Sequence, residues 1–179
     1  MEPWYIATKR FGPWKEAAWT RYLAWSGLNQ LEEVVSLDPM LCGTVLPEIR
    51  PEYWDRIVNE DFMLNFFTDL AFLLRQVAAV PEKNVLCVFR NPPYDPDAST
   101  QPVPFRFLGY DLVDVMGSAS ALTNCGGFSK AFDNTELNSK GLVTSRNRAF
   151  AVQNALRRFY PEEPHAECHV WAIFRAVGH

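Results

Sequence analysis

The sequence predicts an α+β domain: a mostly antiparallel sheet of about four or five strands with helices packed on it. Three observations point there. Apolar residues recur at helical spacing in two long segments. Three separate runs have the length and Val, Ile and Phe content of strands. Their order (helices, two or three strands, a helix, a last strand) differs from the strict alternation of a parallel fold.

The first helix is expected over Pro13 to Trp25. Pro is tolerated in a first turn, and Ser26-Gly27 ends the run. Trp14, Ala18, Tyr22 and Trp25 form a candidate inner stripe. The next stretch reads as a short helix, then a turn at Leu37-Asp38-Pro39, where the residue before Pro is pushed away from helix. A Pro-punctuated loop follows, and long irregular loops are often functional. A strong helix is expected over Glu60 to Val77, with Phe62, Phe66, Leu70, Leu73 and Val77 on one face. Asn59 is its candidate cap, and Glu60 and Asp61 suit its positive end.

Asn84 to Arg90 is apolar on both faces, as an interior strand is. Beyond a Pro-rich loop, a second strand is expected over Val103 to Val113 and a short third over Ser118 to Thr123, before the turn Asn124-Cys125-Gly126-Gly127. Thr144 or Ser145 caps a helix that runs to Tyr160, with Ala149, Val152, Leu156 and Phe159 inside. Ala166 to Val177 closes the chain as another interior strand.

The 179 residues fall in the size range of one domain, 1–179, and 14% of them are aromatic, which favours a self-sufficient core. The formal net charge of −4 provides no global basic field, so a duplex nucleic-acid binder is not expected. Cys42, Cys87, Cys125 and Cys168 are scattered without a CxxC, which suits reduced thiols in the cytoplasm. The N-terminus lacks the apolar segment of a signal peptide, and no apolar run approaches a membrane span. A cytoplasmic protein with no membrane partner is expected.

Phosphate-loop, dinucleotide, HExxH and GxSxG motifs are all absent, and no cofactor is implied. His165 and His169 flank Cys168, but in a strand Cys168 would face away from both, so no metal site is expected. Cys125 beside two glycines resembles the setting of a nucleophilic thiol, with His165 or His169 as its base. Charge suggests another role. Between Leu31 and Leu70 the acids Glu32, Glu33, Asp38, Glu48, Glu52, Asp55, Glu60, Asp61 and Asp69 face only Arg50 and Arg56. A surface built from Glu32, Glu33, Asp38, Glu48, Glu52 and Asp55 would steer a basic protein partner.

The segments YLAWSGLNQLEEVVSLDPMLC, NEDFMLNFFTDLAFLLRQV, LGYDLVDVMGSASALTNCGGF and PEEPHAECHVWAIFR together resemble a family of small bacterial proteins with no assigned activity. The resemblance spans most of the chain and implies a bacterial cytosolic protein, with no cofactor or catalytic residue attached. The leading expectation is a protein-binding module of the immunity or antitoxin type. The competing one is a small hydrolase or transferase that uses Cys125 with His165 or His169.

Overall fold

A computed structural model describes residues 1–46, 50–58, 63–124 and 126–178. Six strands form one antiparallel sheet: β1 (Trp4–Lys9), β2 (Ile57–Val58), β3 (Phe66–Phe67), β4 (Lys83–Arg90), β5 (Phe105–Asp114) and β6 (Cys168–Ala176). Their order across the sheet is β2-β3-β1-β4-β6-β5. Four helices accompany them: α1 (Glu16–Ser26), α2 (Pro39–Cys42), α3 (Leu70–Gln76) and α4 (Arg146–Phe159). The expected α+β class and antiparallel sheet are therefore present, with six strands rather than four or five.

The two interior strands read from the sequence are interior. β4 lies between β1 and β6, and β6 lies between β4 and β5. Strands buried on both faces carry apolar residues at odd and even positions alike. Val85, Cys87 and Phe89 accordingly join one core, and Leu86 and Val88 the other. β1 was not expected. Its six residues are short, yet Tyr5 and Ala7 enter the first core and Ile6 the second. β4 and β3 cover its edges, and a core on each side of the sheet covers its faces.

The first core also takes Leu70, Phe72 and Leu73 from α3, Ala149, Val152 and Leu156 from α4, and Trp19 and Tyr22 from α1. Among the described residues, none from a helix belongs to the second. There Val35, Leu37, Leu64 and Leu142, all from coil, cover Trp171, Ile173, Leu86 and Val88.

The helix expected over Glu60 to Val77 is corrected to α3, Leu70–Gln76. Phe66 and Phe67 instead form β3, paired with Tyr5 and Ile57, and bury their rings in different cores. Asp69 sets the start of α3 by accepting a hydrogen bond from the Phe72 amide at 2.9 Å. The expected cap at Asn59, with Glu60, Asp61 and Phe62, lies outside the described residues. In α1 the stripe is shifted: Trp19 and Tyr22 are buried, while Trp14 and Trp25 are exposed. Gly27 ends α1 in the left-handed conformation, φ 70°. Ser145 caps α4, as expected, although Phe159 is exposed. Ser118 to Thr123 contributes a single bridge, Val113 to Ser120, instead of a third strand. Among the described residues no helix is long and apolar enough to cross a membrane.

Candidate functional site

Pro51–Arg56 forms a 3-10 helix, with Pro51 opening it at a position where a missing amide hydrogen costs little. Three residues per turn stack this element into columns. Tyr53 and Arg56 form the inner column. The Tyr53 ring meets Phe72 of α3 edge-on at 4.9 Å, and the Arg56 guanidinium lies 5.1 Å from the same ring and 3.1 Å from Asp69 Oδ2. The columns Pro51/Trp54 and Glu52/Asp55 therefore point outward, with Trp54 64% exposed. The chain runs straight on into β2, the outermost strand on that side, which pairs with β3 alone. Met63, equally exposed, lies between β2 and β3 in the chain, and its amide donates to the Met116 carbonyl at 3.4 Å. An exposed aromatic beside two carboxylates is thus presented on a short 3-10 helix at the margin of the sheet.

The six acids expected to share a surface divide. Glu52 and Asp55 stand together on this helix. Glu32 is exposed on a different segment and pairs with Lys140 at 3.0 Å, a contact that holds its carboxyl below the usual range. Glu33 and Asp38 are buried, so the expectation of a docking role for them is corrected. Burial alone would raise the Glu33 carboxyl. Arg175 at 2.8 Å and Lys140 at 2.9 Å outweigh it and hold the group below its ordinary value. Asp38 instead caps α2, accepting from the Met40 and Leu41 amides, and also accepts from the Ser120 amide at 2.9 Å. Glu48 lies outside the described residues.

The thiol constellation fares similarly. Cys125 lies outside the described residues. Its neighbours Thr123, Gly126 and Gly127 line a cleft of about 250 Å³ with Phe128 and Trp25. His165 is not in a strand, because Pro164–Ala166 is a 3-10 turn and β6 begins only at Cys168. Its ring packs on Phe128 of the first core at 5.4 Å, and burial pushes its pKa down despite nearby Asp114. His169 bonds Asn91 at 2.9 Å and shares the sheet face of Trp171 in the second core. The two imidazoles are thus seated against different cores. Cys42, Cys87 and Cys168 are buried, and burial raises all three thiols, the reverse of what a nucleophile needs. Among the described residues no group of three His, Cys, Asp or Glu side chains is placed to hold a metal ion.

A polar cluster that sequence reasoning missed lies under the second core. Asp111, fully buried, accepts from Ser36 Oγ (2.6 Å) and the Leu37 amide (3.0 Å) on one oxygen, and from Ser120 Oγ (2.6 Å) and the Leu112 amide (2.9 Å) on the other. It fastens the coil around Ser36 and the segment after β5 to the sheet. The sequence signal was an acid flanked by apolar residues, Tyr110 and Leu112, within a strand.

Comparison of the chain with protein-family models, with curated proteins and with solved structures finds no match.

Proposed function

We propose that this chain is a protein-binding module of the cytoplasm, of the immunity or antitoxin type, that docks a basic partner protein through Pro51–Arg56 and the adjoining β2 edge. The observation that carries this reading is the outward pair of columns, Pro51/Trp54 and Glu52/Asp55, on a helix pinned from behind by Tyr53 and Arg56. Tryptophan is enriched among residues that dominate binding energy, since it desolvates a large area at small entropic cost. Flanking carboxylates steer a basic partner and suppress acidic ones, contributing more to association rate than to residence time.

Immobilised protein should capture its partner from extract of the native host. Trp54→Ala is expected to weaken that capture by about tenfold or more, mainly through faster release. The double variant Glu52→Lys/Asp55→Lys should slow association and flatten its salt dependence. The charge reversal should leave the unfolding midpoint close to the parent's, because both carboxylates are exposed and the Arg50–Glu52 pair at 3.8 Å is a surface contact. Glu32→Lys, on another segment, serves as the control. Capture that is indifferent to the Trp54 and Glu52/Asp55 variants overturns the reading.

A further inference from the structure

Four cations of this acidic chain gather at one end of the sheet. Arg10 follows β1, Lys83 opens β4, Arg106 lies near the start of β5, and Arg175 lies near the end of β6. With Asn84, Ala176, Val177 and Gly178 they line a cleft of about 340 Å³, within the range of small-molecule sites.

Three features separate this cleft from an ordinary solvated margin. First, Arg106 and Arg175 stand directly opposite each other across β5 and β6, an arrangement of like charges that destabilises a sheet unless an anion intervenes. Second, the anion supplied from within is too small. Buried Glu33 serves Arg175 at 2.8 Å, Lys140 at 2.9 Å and Arg10 at 3.3 Å together. Arg106 has no carboxylate partner among the described residues, and Lys83 Nζ donates to the Val80 carbonyl at 2.8 Å. Third, two residues lining the cleft carry buried donors with no partner among the described residues: Arg10 Nε and Asn84 Nδ2. Asn84 is 1% exposed, and its Oδ1 is taken by Arg175 at 3.3 Å, which fixes the amide's orientation. Buried donors are rarely left unsatisfied without a function or a missing ligand.

We infer that this cleft binds the oxyanion of a small ligand, a phosphoryl or carboxylate group held by Arg106, Arg175 and Lys83. Guanidinium forks match both geometries in bidentate fashion, and the ion pairs to Glu33 hold Arg175 and Arg10 in place before the ligand arrives. The site is independent of the Pro51–Arg56 docking edge, so either can fail alone.

The test is calorimetric titration of the full chain with pyrophosphate and, separately, citrate, at ionic strength matched with sodium chloride. Saturable binding of one or both is expected, and the tighter of the two identifies the phosphoryl or the carboxylate source. Arg106→Ala and Lys83→Ala should each weaken it by about tenfold. Lys15→Ala, whose side chain lies outside the cleft, should bind as the parent does. Without ligand, Arg106→Ala should melt no lower than the parent, since it removes a like-charged neighbour. Heat that matches sodium chloride, binding that survives both cleft variants, or binding confined to an acidic polypeptide such as polyglutamate would each overturn the inference.

Discussion

Asp111 shows how a single residue is fixed by donors it cannot turn away. Each of its oxygens receives one serine hydroxyl and one backbone amide. Hydroxyls rotate, but backbone amides do not. An asparagine placed there would turn its NH₂ toward the Leu37 or the Leu112 amide, donor against donor, whichever way it flips. Asp111→Asn is therefore expected to lower stability by about 2–3 kcal/mol, even though it removes a buried charge. Urea unfolding at neutral pH measures this, and a variant as stable as the parent would show that the four donors find other acceptors. The local sequence marks Asp111 only as an acid between Tyr110 and Leu112. Its burial came from the coil around Ser36, which is distant in the chain.

Elements were legible where one local signal sufficed. α4 has its cap at Ser145 and buries three of the four expected apolar residues, Ala149, Val152 and Leu156, and β4, β5 and β6 are Val- and Phe-rich runs of strand length. They failed where two patterns coincided. Phe66 and Phe67 continue the periodicity of α3 perfectly well in one dimension, but Asp69 starts the helix later and the edge of β1 recruits both rings into the sheet. β5 holds a further device, a bulge between Phe107 and Gly109. Gly109 has φ +144°, and a Cβ there would sit 2.7 Å from Leu142 Cβ and 2.9 Å from the Val143 carbonyl oxygen. That carbonyl accepts the Tyr110 amide at 2.7 Å, so it cannot retreat without breaking the bridge. Gly109→Ala should cost about 2–3 kcal/mol through combined strain and overpacking. A denaturation midpoint unchanged by that substitution would mean that the Asn138–Val143 segment yields freely.

At the scale of the molecule, stability should form a plateau bounded by two arms. Glu33 and His165 have folded pKa values below their ordinary ones, so their contribution is complete above those values and is lost as pH falls. The loss begins below about 6.5 with His165 and deepens through the carboxylate range with Glu33. Asp111, raised by burial, works the other way: its contribution is complete at low pH and declines as pH rises, which blunts the acid arm. Cys87 and Cys168, pushed up to about 12 by burial, keep their contribution below the ordinary thiol value of 9.0 and lose it as pH climbs toward 12. Urea midpoints across pH should trace this shape. Glu33→Gln should lose most at neutral pH and least in acid, where the parent's carboxylate is itself protonated. Parallel curves for parent and variant would contradict the assignment.

By itself the sequence determined the α+β class, the two interior strands, the capped helix α4 and the acidic bias of Leu31 to Leu70, because each is written in neighbouring residues as spacing, propensity or charge. The tertiary structure alone decided which of those acids could meet a partner. Glu52 and Asp55 were left outside by a helix whose inner column meets Phe72. Glu33 was drawn inward by cations from Arg10, Lys140 and Arg175, and Asp38 by the start of α2 and the Ser120 amide. It also decided that His165 and His169 serve different cores, and that Arg10, just past β1, meets cations of β4, β5 and β6 in one cleft. Such groupings depend on strand order and register, which bring together residues far apart in the chain and leave no mark on any local stretch of it.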